Sequence, residues 1–451
     1  MAASLTLGLF SVLLIGCIAA GVPTVYALLG GLVLFCGYAR QCGNGVRRVL
    51  AMCWHGIRPV RRILGMLLTV GMLTGLWRAA GVIPAIVVYA VPCIPAHLFV
   101  IMTFLLSCAV SVLTGTSFGT AATMGSICVS IAASMGIPLP LAGGAALSGA
   151  FFGDRWSPIS TSALLVANIT DTDFYANLKR MARTAIAPFA LSCFVYVVAG
   201  LLAGTSSGGA GALDGMRAAF NLNPLVFAPP VLVFALAALR VNIFAVIAAG
   251  VLSAVPICLG IQGMGLADVV RVALAGYVAR TPETAVLSGG GVASMLSAVG
   301  IVCTTSAYAG IFKETDLLSA VEGIVASLAA RVSAFTATLG IAALASMISC
   351  NQTLAIMLTH QLSSGLSASR SDHALDLEDS VVLVAGLVPW SIAGSVPLAS
   401  MGAPIESMAL AVFLYAVPLC RSAFGRLVRA REERVRAKSG QGVFRATGRS
   451  N

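Results

Sequence analysis

Apolar residues run along this chain in continuous stretches and do not alternate with polar ones. Examples are Leu5 to Ala20, Val22 to Ala39, Ile63 to Trp77, Leu98 to Leu113, Ala185 to Ala203, Val241 to Leu259 and Ile405 to Leu419. Runs of about 20 apolar residues match the hydrocarbon thickness of a bilayer when wound as α-helix. Backbone exposed to lipid must satisfy its own hydrogen bonds, which leaves helices or a closed barrel, and the lack of alternation selects helices. At about 30 to 35 residues per span with its loop, the chain holds on the order of 11 to 13 transmembrane helices. The expected fold class is therefore an all-α polytopic membrane protein.

Several apolar runs are broken by polar clusters. Thr114-Gly115-Thr116-Ser117-Phe118-Gly119-Thr120 is one and Ser349-Cys350-Asn351-Gln352-Thr353 is a second. Glycine lets a helix unwind, and hydroxyls with freed carbonyls are hard oxygen ligands suited to Na+. Interrupted helices of this kind mark transporter binding sites near the membrane midplane. A competing reading is close helix packing through small residues. Around Leu147 to Ala163 an apolar run ends in Asp154, the first acidic residue of the chain, followed by Ser157, Pro158, Ser160, Thr161 and Ser162. A carboxylate within hydrocarbon costs roughly 3 kcal/mol on insertion scales, so it is expected to face a cavity and a partner. Arg155 is the nearest candidate partner, and a pair with it would move proton binding elsewhere.

Landmarks repeat in order. Trp156-Ser157-Pro158-Ile159-Ser160-Thr161-Ser162 resembles Trp390-Ser391-Ile392-Ala393-Gly394-Ser395, and each follows one of the polar breaks. Upstream, Gly75 to Pro84 is set against Gly310 to Asp316. The order predicts a duplicated unit with paired interrupted helices. The organisation read from these features is an N-terminal two-span hairpin (residues 1–39), a basic loop (40–62), a first membrane repeat (63–203), a linker (204–223), connecting spans with an interfacial helix (224–280), a second repeat (281–420) and a basic tail (421–451).

Composition supports the membrane assignment. The 451 residues are 59% hydrophobic and 10% charged, with mean hydropathy +0.98, whereas soluble domains carry about 25% charged residues. The net charge of +11 sits in clusters beside apolar runs. The positive-inside rule accounts for it better than nucleic-acid binding does. Arg40 to Arg62 and the tail from Arg421 are thereby assigned to the cytoplasm, and with them both termini. His97 reads as part of an interfacial turn. The 12 cysteines are scattered without a CxxC pair and read as small apolar residues. Leu14-Ile15-Gly16-Cys17 has the form of a lipoprotein cleavage box but reads as part of an ordinary first span. HExxH and paired carboxylates at one depth are lacking, so an enzyme is not expected.

TGTSFGTAATMGSI, GIPLPLAGGAALSGAFFGDRWSPIS, DTDFYANLKRM, LVPWSIAG and GMLTGLWRAAGVIP together resemble the NhaC family of Na+/H+ antiporters, over roughly Arg62 to Pro418. The resemblance implies a bacterial inner-membrane carrier with inverted repeats, re-entrant hairpins and broken helices, and it allows a homodimer. The expected partners are the lipid bilayer, Na+ and H+, with no cofactor and no nucleic acid. The expected activity is exchange of cytoplasmic Na+ for external H+. Asp154 would bind either a proton or Na+, with Thr116, Ser117, Thr120, Ser157 and Ser160 from the first half and Asn351, Gln352, Thr353, Trp390 and Ser391 from the second. Two departures stand out. The family's Ser-Pro-x-Ser-Asp-Thr becomes Ser-Pro-Ile-Ser-Thr161-Ser162 here, so one carboxylate is missing. At Lys313-Glu314 the base precedes the acid, the reverse of the family order. A less negative site suits the alternative function, a Na+- or H+-coupled carrier of a small organic anion or amino acid.

Overall fold

A computed structural model describes residues 3–19, 24–90, 92, 94–203, 209–239, 241–279, 281–315 and 333–423. Gly21 to Pro23 within the expected N-terminal hairpin, Asp316 and nearly all of the basic tail fall outside them. The described chain is α-helical throughout, with one isolated β-bridge between Tyr277 and Gly289. In order the principal helices are α1 (Ala3–Ala19), α2 (Thr24–Gln41), α3 (Val46–Ile57), α4 (Arg61–Ala79), α5 (Val82–Ala90), α6 (Phe99–Thr114) and α7 (Ser117–Ser134). Then come α8 (Leu139–Trp156), α9 (Thr161–Thr170), α10 (Phe174–Leu202), α11 (Gly209–Ala219), α12 (Ala228–Ala238), α13 (Ile243–Gly260) and α14 (Leu266–Ala275). The last six are α15 (Leu296–Thr315), α16 (Ala334–Ser349), α17 (Gln352–Ser363), α18 (Arg370–Glu378), α19 (Ile392–Met401) and α20 (Ile405–Ala423).

The protein is an all-α polytopic membrane protein. Among the described residues, five helical segments are long and apolar enough to cross a bilayer unbroken. They are Val46–Ala79, Ala96–Thr114, Ser117–Ser134, Phe174–Leu202 and Ile405–Ala423, while Arg370–Leu387 and Ile392–Met401 form a pair bent by 56°. Shorter apolar helices such as Phe244–Gly260 and Ala334–Ser349 make up the rest. The most apolar window of α10 is only 28% buried by protein and that of α7 is 78% buried. Thus α10 lays Ile186, Phe194 and Leu202 on the outer surface, where lipid replaces water, and α7 lies inside.

Small residues bring α6 and α8 together. Gly149 and Gly153 stand four apart, on one face of α8, as do Ser107 and Ser111 on α6. A Cβ added at Gly153 would fall on the backbone of Ser111, and one at Gly149 would meet Ser107 and the Phe104 carbonyl. The two backbones are in contact, the arrangement that small-xxx-small spacing permits in membranes. Tyr196 of α10 ties this pair to α20. Its hydroxyl lies 2.7 Å from the Ser148 hydroxyl, donates to the Leu410 carbonyl at 2.9 Å and accepts from the Val412 amide at 3.0 Å.

Both polar clusters are helix breaks of one design. α6 ends at Gly115 (φ 66°) and α16 at Cys350 (φ 54°), each left-handed. The next residue is extended in both, Thr116 and Asn351, each with φ −142°, and each caps the following helix with its side chain. The Ser-Pro turn packs on the first break, where Ser157 donates to the Val112 carbonyl at 2.7 Å. The Pro-Trp turn packs on the second, where Trp390 donates to the Met347 carbonyl at 2.9 Å. Each acceptor lies three residues before its left-handed residue. The upstream landmarks do not share a form: the chain turns at Gly81 (φ 79°), whereas residues 310–315 lie inside α15.

Two charged stretches contain helices, the first of them expected as a loop. α3 occupies part of the arginine-rich Arg40 to Arg62 stretch, burying Val49 and Met52 and leaving Arg47 and Arg48 exposed. α18 lies in the charged Ser363 to Ser380 stretch and is buried from His373 onward, where arginines from elsewhere in the chain pair Asp376 and the following Asp379. The tight α6–α8 crossing is checked by Gly153→Leu. It is expected to lower thermal stability in detergent by at least the ~3 kcal/mol upper end of ordinary overpacking. Gly37→Leu, which meets nothing within 4 Å, should change it little.

Candidate functional site

Asp154 lies in the last turn of α8 and is 3% exposed. Its position follows from the glycine face of α8, which presses the helix end against the first break. The Gln352 Nε2 donates to its Oδ2 at 3.0 Å, and the Ser162 hydroxyl lies 3.4 Å and 3.5 Å from the two carboxylate oxygens. The Ser117 backbone amide also faces the carboxylate. Ser117 begins α7 and Gln352 begins α17, so the first residues of both broken helices meet at one carboxylate. The amide dipoles there favour negative charge. Gln352 Nε2 is shared with the Val382 carbonyl at 2.9 Å, and Gln352 Oε1 accepts from Ser162 at 3.4 Å.

Arg155 does not pair with Asp154. One residue further round the helix, it points about 100° away and is fully buried against Asp379 of the turn after α18. It also donates to the Thr184 hydroxyl at 2.7 Å and to the Met181 carbonyl at 3.3 Å. Arg421 completes the cluster, 3.0 Å from Asp379 and 2.6 Å from Asp376. Further along α18, Asp372 pairs with Arg180, and Arg370 with Asp171 at 2.6 Å. Side-chain exposure of the acids falls from 41% at Asp372 to 7% at Asp376 and 0% at Asp379. α18 thus carries charge from an open face to the level of Asp154. A cavity of about 570 Å³ lies at that open face, lined among others by Thr170, Asp171, His360, Ser367, Arg370 and His373. His360 Nδ1 and His373 Nε2 are 3.0 Å apart.

The residues singled out from sequence divide by what their polar atoms do. Ser117 and Gln352 reach Asp154, and the Ser117 hydroxyl is buried without a partner. Thr116 caps Gly119, while Thr120 bonds the Thr116 carbonyl at 3.0 Å and Thr114 at 2.9 Å. Ser157 holds the first break, and Ser160 bonds the Asp154 carbonyl and caps Ala163. Asn351 caps Thr353 at 2.9 Å, and Thr353 itself is exposed. Trp390 holds the second break and Ser391 caps Ala393. Ser162 belongs to the hydroxyl run read in sequence but carries no role there. Glu378, 1% exposed with an unpartnered Oε2, is missed altogether. Its signal is faint: an acid beside Asp379 at the junction of a charged stretch and an apolar run. Thr161, where the family's acid would stand, is exposed at the first position of α9, so Ser162 and not Thr161 faces the site. Among the described residues no group of three or more His, Cys, Asp or Glu could hold a resident metal ion.

A buried acid surrounded by neutral donors, at the meeting point of two helix breaks, is suited to binding a small cation or a proton. Comparison with known proteins agrees with that chemistry. The profile of the Na+/H+ antiporter family matches residues 1–173 and 149–425. The chain is 28% identical to the malate-2H+/Na+-lactate antiporter of Bacillus subtilis over 349 residues, 75% of each chain. It is 27% identical to the Na+/H+ antiporter NhaC of the same species over 384 residues, 81% of this chain and 83% of that one. It is also 27% identical to the arginine/ornithine antiporter ArcD of Halobacterium salinarum over 416 residues, 89% and 86% of the two chains. The chain belongs to the Na+/H+ antiporter family and is a secondary antiporter.

Proposed function

We propose that the protein exchanges cytoplasmic Na+ for external H+ across the inner membrane of a bacterium, with Asp154 as the point of competition. The observation that carries this reading is the surroundings of Asp154: a buried carboxylate whose arginine neighbour is occupied by Asp379. Without a protein cation it needs a proton or a metal ion to be neutral, and the two exclude each other. Na+ would take the carboxylate, the free Ser117 hydroxyl, Ser162 and the Gln352 carbonyl oxygen as ligands. Either load removes the net charge that opposes movement through a low-dielectric gate. Thr116, Thr120, Ser157, Ser160, Asn351, Trp390 and Ser391 hold the two breaks in shape around that centre, and the lone pairs of the hydroxyls and of Asn351 remain open to an ion as the site rearranges.

The matched geometry of the breaks supports two inverted repeats that rock about the site. Clustered arginines near the α18 face, the run Lys179 to Arg183 and the tail support a cytoplasmic assignment for that side and for both termini. The names of two relatives favour a second reading, a Na+- or H+-coupled carrier of a small organic anion or amino acid.

In proteoliposomes, Na+ is expected to collapse an imposed proton gradient with wild-type protein, and Asp154→Asn should lose at least about 90% of that flux. Inert, correctly folded wild type would remove the Na+/H+ reading and direct the screen to lactate, malate, arginine and ornithine. Because H+ competes with Na+, half-saturating Na+ should rise as pH falls while the maximal rate holds. A Na+ titration separates neighbouring residues of α9. Ser162→Ala removes a donor facing Asp154 and should raise half-saturating Na+ about fivefold, the equivalent of about 1 kcal/mol. Thr161→Ala should stay within about twofold, since ordinary surface substitutions change little.

A further inference from the structure

Glu378 has no part in the exchange reading above, yet it is the acid whose surroundings are hardest to account for structurally. It ends α18 at 1% exposure and its Oε2 has no hydrogen-bond partner. The other acids of that segment are all paired: Asp372 with Arg180, Asp376 with Arg421, Asp379 with Arg155 and Arg421. An acid held only for structure would be expected to share one of those arginines. Instead the charges within electrostatic reach of Glu378 are, from the strongest, Arg155, Asp379 and Asp154. Arg155 and Asp379 neutralise each other, which leaves Asp154 as the unmatched charge that Glu378 feels.

The elements packed against α18 leave little else to act on it. α9 and α16 carry no titratable side chain. α17 contributes His360, which is engaged with His373 near the cavity, and α10 contributes Arg180, engaged with Asp372. Gln352 bridges the gap on the other side. Its Nε2 holds both Asp154 Oδ2 and the carbonyl of Val382, four residues after Glu378.

We propose that Glu378 is a second proton-exchanging carboxylate of the transport cycle, loading its proton when Asp154 is empty of cation and releasing it when a cation arrives there. The proposal rests on the exchange reading for its role in transport. Two nearby carboxylates without a private counter-charge cannot both ionise cheaply in a buried site, and they titrate as a pair. A cation seated at Asp154 supplies the missing positive charge. It displaces the Asp154 proton directly and drives off the Glu378 proton through the field. Each cycle then exchanges one cation for two protons, and the net charge moved makes the exchange sensitive to membrane voltage.

The test uses full-length protein in liposomes and has two arms. The first is infrared difference spectroscopy between high and low pH, with carboxyl-13C-glutamate incorporated. A protonated-carboxyl band that shifts with the label and disappears in Glu378→Gln is expected. This arm needs no transport activity, and the label reads wild-type protein even where the variant folds poorly. A band unaffected by both label and substitution overturns the proposal. The second arm counts protons per Na+ and follows half-saturating Na+ against pH. Glu378→Gln is expected to lower the ratio from about two to about one, and the limiting slope of log half-saturation per pH unit likewise, with Glu378→Asp restoring both. An unchanged ratio and slope in Glu378→Gln overturn the proposal as well. Wild type that shows the glutamate band but moves no protons with Na+ would overturn the exchange reading and leave Glu378 as a proton site for another coupled substrate.

Discussion

The buried pair between Arg155 and Asp379 is the constraint on which the site depends. Two ions out of water are tolerated only when each satisfies the other and the remaining donors find acceptors. Here Arg155 also has Thr184 and the Met181 carbonyl, which leaves its Nε alone unpartnered, and Asp379 also has Thr184 and Arg421. The pair joins α8 of the first half to the α18 segment of the second, 224 residues later. Because α8 is a helix, adjacent residues point about 100° apart. Committing Arg155 to Asp379 therefore turns Asp154 to another face and deprives it of the nearest cation. The same contact that joins the two segments thus leaves the Asp154 carboxylate without a cationic partner. An Arg155–Asp154 pair would have been internally neutral and of no use to a carrier.

The two breaks supply the rest of the geometry. A helix interrupted within the membrane leaves amides and carbonyls without intrahelical partners. Thr116 and Asn351 satisfy amides by capping, and Ser157 and Trp390 satisfy carbonyls three residues before each left-handed turn. Different side chains perform the same task in the two halves. That explains why the correspondence is weak as an alignment and clear as backbone. It also explains why the hydroxyls chosen from sequence do not all converge on Asp154. A hydroxyl beside a break has an orphan backbone group within reach and spends its proton there first.

What could be read from the chain follows the same physics. An acid alone after 153 residues without one is conspicuous, as are hydroxyls and glycine inside an apolar run, so Asp154, Ser117 and Gln352 were legible as a set. The helices were legible because lipid imposes length and apolarity. Glu378 was not, since Ser363 to Ser380 has the charge density of a solvated loop. Its burial depends on Arg155, Arg180 and Arg421 closing over α18 from positions distant in sequence, and no local pattern records such pairings. α3 escaped notice for a related reason: its arginines were visible, whereas the packing of Gly56 against the backbone of Ser306 in α15 was not.

Thr161 shows how a departure from a family pattern should be weighed by position. Loss of an acid from the Ser-Pro motif reads in sequence as a less negative binding site. In the fold that residue opens α9 on the exposed side, where an acid would serve the helix dipole, and the inward position belongs to Ser162. The negative charge at the centre is then set by Asp154 alone or with Glu378, neither of which the substitution touches. A different substrate class is favoured by the relatives' names and not by the missing carboxylate.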